Sequence, residues 1–272
     1  MSAPPASPSI LGASLKGKVA LITGASSGIG AGVARYFASV GCRLALTGRN
    51  MDNLQAVVEE CIERGLDRDQ ILTIQANFEI ESDVKKTADQ TIQKFNQLDI
   101  LVNNAGTAFL DTIETLSMEN FDTTFAVNVR APLHLTHLLT PYLIASKGTV
   151  VNNSSVYGIR SPPMTLSYGV SKTALNHMTR CIAEELAPHG VRVNAVNPGV
   201  IPTKMAARAG LSDEQVQETL EFHKKTHAMR RTGTVEEVAK LIAFLASSDS
   251  SFTTGENFLT DGGNHLLVTT LD

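Results

Sequence analysis

The chain has 272 residues, 43% of them hydrophobic, which suits one α/β unit that buries a substantial core. Its 23 basic and 27 acidic residues leave a net charge of −4, so neither nucleic acid nor an anionic membrane is an obligatory partner. The scattered cysteines, Cys42, Cys61 and Cys181, make neither a disulfide framework nor a metal site and favour a reducing, cytoplasmic compartment, and no apolar run approaches the ~20 residues that span a bilayer.

Residues 1–15 are rich in Ala, Ser and Pro and read as a loose arm ahead of one domain over 16–272. Val19 to Thr23 is a short apolar strand that runs into a glycine-rich turn, and Ile29 to Val40 follows as a helix. Arg43 to Thr47 is the second strand, and Asp52 to Arg64 a polar helix. Ile71 to Ile74 and Ile100 to Val102 are further strands, separated by a helix from Val84 to Phe95. Thr149 to Asn152 and Arg192 to Val196 continue the series, and Asn257 to Leu259 ends it as an edge strand. Ser212-x-x-Gln215 and Thr234-x-x-Glu237 have the spacing of capping boxes, each opening an amphipathic stretch. Short apolar strands alternating with helices predict a doubly wound, Rossmann-type parallel sheet of about seven strands, covered on both faces.

The first turn reads Thr23-Gly24-Ala25-Ser26-Ser27-Gly28-Ile29-Gly30 between a strand and a helix. Glycines let backbone approach a pyrophosphate, and the helix start supplies free N–H groups and a positive dipole end. This is the context that a dinucleotide fingerprint requires. At the end of the second strand an acidic side chain selects NAD by bonding the ribose 2′-hydroxyl. Here the slot is Gly48, followed by Arg49, whose fork suits a 2′-phosphate. NADP(H) is therefore favoured over NAD(H).

Tyr168-Gly169-Val170-Ser171-Lys172 opens a helical pattern that continues through Leu175, Met178 and Ile182. Four residues apart, phenol and ammonium share a helix face, and a fixed cation favours the phenolate over a phenol of ordinary pKa near 10. Tyr168 is thereby expected to serve as general acid to a ketone or general base to an alcohol. Ser155 lies just beyond a strand end, placed to donate to a substrate oxygen, with Ser154 as its rival for that role.

Together with Asn103-Asn104-Ala105-Gly106, Asn128, Asn197-Pro198-Gly199, Thr254-Gly255 and Asp261-Gly262-Gly263, these motifs resemble the short-chain dehydrogenase/reductase family from Lys18 to Gly263. The resemblance implies hydride transfer between NADP(H) and a carbonyl or secondary alcohol, with Tyr168 as acid/base and Ser155 polarising the substrate oxygen. Lys172 would hold the nicotinamide ribose and ease tyrosine ionisation, and Asn128 would position a proton-relaying water. It also implies that Asn104, Ala105 and Gly106 support the sheet near the adenosine ribose. Pro198, Gly199 and Thr203 would border the nicotinamide, residues 202–229 would form a mobile substrate cover, and the assembly would be a homotetramer or homodimer. The chain departs from the family in two places: Asn77 stands where relatives carry an adenine-bonding aspartate, and Ser26 and Ser27 fill a loop that often holds a basic residue. An NAD-dependent alcohol dehydrogenase of the same fold and a non-catalytic nucleotide sensor are the alternatives.

His134 and His137 have helical spacing but no third metal ligand nearby, so a helix-surface or interface role is expected; His223 and His227, four apart within the 202–229 segment, are expected to be solvated, with substrate contact as the alternative. Arg230 and Arg231 read as anchors of the 202–229 segment.

Overall fold

The computed structural model describes residues 12–266, apart from the side chain of residue 13. The arm expected over 1–15 therefore falls mostly outside the described residues. Among them, the strands β1 (Val19–Ile22), β2 (Arg43–Gly48), β3 (Ile71–Gln75), β4 (Ile100–Asn103), β5 (Thr149–Asn153), β6 (Arg192–Pro198) and β7 (Asn257–Thr260) form one parallel sheet. Its order is β3-β2-β1-β4-β5-β6-β7, so the chain reverses direction across the sheet between β1 and β4. The Rossmann-type, doubly wound fold expected from the sequence is the fold observed, with β7 at an edge.

Helices α1 (Gly28–Ser39), α2 (Met51–Glu63) and α3 (Glu81–Phe95) connect the first four strands. α4 (Met118–Phe125) and α5 (Ala131–Ser146) follow β4, joined by one π-helical stretch, Ala126–Arg130. α6 (Leu166–Leu186) links β5 to β6. α7 (Met205–Arg208), α8 (Asp213–Thr226) and α9 (Val235–Ala246) lie between β6 and β7. Both expected capping boxes are formed, at Ser212–Gln215 on α8 and at Thr234–Glu237 on α9.

The strands carry apolar side chains on both faces because helices cover both. On one side Leu44, Leu46 and Val196 meet Phe37 of α1, Leu54 and Val58 of α2 and Ile242 of α9, all buried. On the other, Leu101, Val150 and Val193 meet Val84 of α3, Leu135 and Leu139 of α5 and Leu186 of α6. Hydrophobic burial on this scale is the dominant stabilising term, at about 2–3 kcal/mol for each large side chain. The two layers leave the C-terminal strand ends free, and in such sheets the crevice at the reversal point is where ligands bind.

Candidate active site

A cleft of about 440 Å³ opens at that reversal point, lined by Gly24, Ser26, Ser27, Gly28 and Ile29 of the first turn and by Gly48 and Arg49 beyond β2. Asn77, Asn104, Ala105, Gly106 and Thr203 complete its predicted lining. The glycine turn is built for close approach. Gly24 has φ of +65°, and a Cβ there would stand 2.9 Å from the Ala105 Cα. Gly30 does not line the cleft; it lies under the turn, where a Cβ would meet both Asn104 Nδ2 and the Gly24 carbonyl oxygen at 2.4 Å. Neither position tolerates a side chain without backbone movement.

Hydrogen bonds weld the ends of β1 and β4 together beneath the cleft. The Thr23 hydroxyl accepts from the backbone N–H groups of Asn104 and Ala105 at 2.8 and 2.9 Å. Asn104 Nδ2 donates to the Thr23 carbonyl at 2.8 Å, and its Oδ1 accepts from Asn153 Nδ2 at 2.8 Å. Asn104 thus ties β1, β4 and β5 into one floor.

Further along, α6 carries Tyr168 and Lys172. An unforeseen residue positions its first turn: the buried Asp111 carboxylate accepts from the Ser167 N–H at 3.0 Å and from the Ser167 hydroxyl. The helix's own N-cap, Thr165, makes no side-chain cap bond, so a carboxylate 56 residues away takes that place and favours the dipole. A lone buried aspartate in a loop gives no periodic signal that sequence reading can use.

Of the two candidate serines, Ser154 donates to the Lys172 carbonyl at 3.1 Å and is spent on structure. The Ser155 hydroxyl accepts from the Tyr157 N–H at 3.1 Å and hydrogen-bonds the Tyr168 phenol. Lys172 is buried; its Nζ donates to the Asn153 carbonyl at 2.8 Å and stands 5.6 Å from the centre of the Tyr168 ring. Tyr157 packs edge-on against Tyr168, with ring centres 6.3 Å apart.

The electrostatics differ from expectation. Burial pushes the Tyr168 phenol up to about 12, with the Ser155 hydrogen bond opposing it and Tyr157 adding to it. Lys172 is itself pushed down to about 8 by burial. The anticipated drop in the tyrosine pKa is not met, because desolvation of the charged form outweighs a cation 5.6 Å from the ring. The pair is instead arranged as a protonated phenol beside an ammonium that keeps its charge at neutral pH and gives it up near pH 8.

Asn128 sits in the π-helical stretch, an irregularity that often marks functional sites. Its Oδ1 accepts from the Thr107 N–H at 2.9 Å, while Nδ2 donates to the Thr107 carbonyl at 2.9 Å and to Ser171 Oγ at 3.0 Å. Both amide donors are therefore consumed within the protein, and only the spare lone pair of Oδ1 remains for a solvent molecule. A Cβ on Gly106 would lie 3.4 Å from that oxygen and 3.7 Å from Lys172 Nζ, so loop, amide and ammonium converge.

Pro198 ends β6, and, like Ser155, Tyr168 and Lys172, neither it nor Gly199 lines the 440 Å³ cleft. Gly199 instead lies against His227, which a Cβ there would approach to 2.7 Å. His227 is 1% exposed, and its Nε2 accepts from the Val200 N–H at 3.2 Å. The solvated role expected for His227 is thus corrected: the imidazole is a buried clasp between the two ends of the 202–229 segment. Arg231 anchors as expected, in a two-point ion pair with Glu237. Among the described residues no cluster of three His, Cys, Asp or Glu side chains is placed to hold a metal.

Three charged residues at the cleft, Glu79, Lys204 and Arg208, escaped sequence reading. Glu79 lines it with its carboxylate 3.9 Å from the exposed Arg49 guanidinium. Arg208 lines it from α7, and its Nη2 donates to Ser27 Oγ at 3.0 Å. Neither Lys204 nor Arg208 drew a reading from the sequence, because the approach of that turn to the glycine loop is a long-range contact.

The family profile described as Enoyl-(Acyl carrier protein) reductase matches residues 24–265. The chain is 36% identical over 251 residues to Dehydrogenase/reductase SDR family member 4 of Caenorhabditis elegans, covering 91% of this chain and 95% of that protein. It is also 36% identical over 250 residues to the 3-oxoacyl-[acyl-carrier-protein] reductase FabG of Thermotoga maritima, covering 92% and 98%. A crystal structure of a short-chain dehydrogenase/reductase of unknown function from Caenorhabditis elegans, with cofactor, superposes with a TM-score of 0.89 at 32% identity, covering 94% of this chain and 98% of that one. With a match that spans the glycine turn, the Tyr168 helix and the last strand alike, this chain belongs to the short-chain dehydrogenase/reductase family of oxidoreductases.

Proposed function

We propose that the protein transfers a hydride between NADP(H) and a carbonyl or secondary alcohol, with Tyr168 as the general acid/base. The observation that carries the reading is the contact of the Ser155 hydroxyl with a Tyr168 phenol that burial holds protonated, beside the Lys172 ammonium. When bound, the nicotinamide supplies or accepts the hydride at C4. Ser155 donates a hydrogen bond to the substrate oxygen and stabilises the charge that grows there during reduction. Tyr168 gives that oxygen its proton, and Lys172 stabilises the phenolate left behind. In the reverse direction the same phenolate takes the alcohol proton.

The residues fit a dinucleotide: Gly24 and Gly28 leave backbone bare at the cleft, Gly30 lets the turn pack on Asn104 beneath it, and Gly48 leaves no carboxylate at the ribose slot. Arg49 favours a 2′-phosphate. Glu79 partly offsets it, and because the pair is exposed the offset is small. Asn77, its N–H bound to Asp83, offers its amide to the adenine. Lys172 would hold the nicotinamide ribose, with Thr203, Pro198 and Gly199 bordering the ring. Residues 16–272 act as one catalytic domain, with 202–229 as its substrate cover. The working form is a cytoplasmic homotetramer or homodimer built on α5 and α6, whose outer faces keep Leu133, Tyr142, Leu166 and Val170 exposed.

Two variants test this. Tyr168→Phe is expected to lower kcat for NADPH-dependent carbonyl reduction by about 10²–10⁴-fold while NADPH affinity stays within about twofold. Retention of a tenth of the wild-type rate would remove Tyr168 from the mechanism. Arg49→Ala is expected to weaken NADPH about tenfold and leave NADH unchanged. Equal affinities of both variants and wild type for NADPH and NADH would sink the NADP assignment.

A further inference from the structure

The 202–229 segment touches the glycine turn at two points. Thr203 packs on Gly28, where an added Cβ would stand 3.2 Å from Thr203 Cγ2. Beyond it, Lys204 and Arg208 lie four residues apart and both line the cleft, so this short turn shows it a basic face. The Arg208 guanidinium is held by Ser27 Oγ at 3.0 Å.

Ser27 is the N-cap of α1, yet its side chain makes no cap bond. Its hydroxyl is spent on Arg208 instead of on the helix start. The guanidinium consequently stands beside a helix terminus whose first N–H groups have no intrahelical partner and which carries the positive dipole end. Among the described residues no carboxylate forms an ion pair with Arg208. A cation set against the positive end of a helix is unfavourable on its own and becomes favourable when an anion lies between them. The position also separates two anionic groups: Arg49 stands beyond β2, where the ribose slot lies, whereas Ser27 and Arg208 stand at the start of α1.

We propose that Arg208 is a cofactor-binding residue contributed by the 202–229 segment. Its guanidinium and the α1 N-terminus grip the cofactor diphosphate from opposite sides, so that the segment closes on nucleotide before substrate enters. This rests on the dinucleotide reading given above and adds to it a diphosphate ligand from outside the glycine turn.

The test is calorimetric binding of ADP-ribose, NADPH and NADH to the full-length wild type, Arg208→Ala, Arg208→Lys and Arg49→Ala. ADP-ribose keeps the diphosphate and lacks the nicotinamide and the 2′-phosphate. Arg208→Ala is expected to weaken all three by about tenfold, the loss of one charge-assisted contact. Arg208→Lys recovers part of that loss, since an ammonium keeps the charge without the fork. Arg49→Ala weakens NADPH alone. Chymotrypsin cleavage at Leu211, Leu220 or Phe222 supplies a second readout. Saturating ADP-ribose slows it in the wild type and leaves it unchanged in Arg208→Ala. Unaltered ADP-ribose affinity in Arg208→Ala overturns the proposal, as does a loss confined to NADPH, which would move Arg208 to the 2′-phosphate. If wild type binds none of the three, the dinucleotide reading itself falls, an outcome distinct from failure of Arg208 alone.

Discussion

At the ends of β1 and β4, Thr23, Asn104 and Asn153 direct their polar atoms into one another, and Gly24 and Gly30 allow backbone to press on backbone. Across the cleft the 202–229 segment is built differently: α7 buries no side chain and α8 only Thr226. That segment is held by Thr203 on Gly28, by Arg208 on Ser27 and by the His227 clasp to Val200. Few buried apolar contacts and solvent-facing hydrogen bonds are the physical marks of a low local unfolding free energy. One wall is therefore packed tightly by backbone and amide contacts, while the other carries few buried side chains. Such a division suits a site that must hold a nucleotide in fixed geometry and still admit a second reactant.

The comparison breaks most visibly on the rigid wall. Gly30→Ala places a methyl group 2.4 Å from the Gly24 carbonyl oxygen, a backbone atom with little room to yield. It is expected to destabilise by about 3 kcal/mol and lower Tm by about 6–10 °C, read by thermal denaturation. An unchanged Tm would mean that the floor is softer than its hydrogen bonds imply.

Next in size is the pH dependence that the proposed roles of Tyr168 and Lys172 imply. Lys172 is pushed down to about 8, so its charge is present below that pH and lost above it. Tyr168, pushed up to about 12, remains protonated throughout this range. The kcat/KM for carbonyl reduction should be level at neutral pH and fall about tenfold per unit above 8. A profile level to pH 10 would free the reaction from the lysine charge.

The smallest effect belongs to the loosely held wall. Burial, with His227 and Arg160 adding to it, pushes His223 down to about 4 from an ordinary 6.5. Between those values the unfolded chain binds more protons than the folded one, so this contribution to stability is lost as pH falls from 6.5 to 4. Glu237, pushed down to about 2 from an ordinary 4.5, and Asp83, lowered by the Asn77 N–H, act mainly below pH 4.5. Relative to wild type, His223→Gln should flatten the fall of Tm between pH 6.5 and 4.5 by about 2 °C. Parallel Tm curves would remove His223 from the account.

Much of the fold was legible because its signals are local. Strand ends at β2, β3, β5 and β6 fall within one or two residues of those expected, since a short apolar run between turn residues has few other uses in a sheet covered on both sides. The capping boxes were legible for the same reason, as each is made by residues three apart. Asp111 and Arg208 were not, because their partners, Ser167 and Ser27, lie 56 and 181 residues away. His227 was misjudged because helical spacing reports the face of a helix and not what the chain lays over it.

By itself the sequence determined the alternation of strand and helix, the glycine turn and the shared helix face of Tyr168 and Lys172, all consequences of backbone geometry within a few residues. Only the tertiary structure decided which serine reaches the phenol, that burial raises the tyrosine instead of lowering it, and which cations meet at the nucleotide cleft. Desolvation and long-range contact depend on what surrounds a group in space, and that is set only when the helices have closed on the sheet.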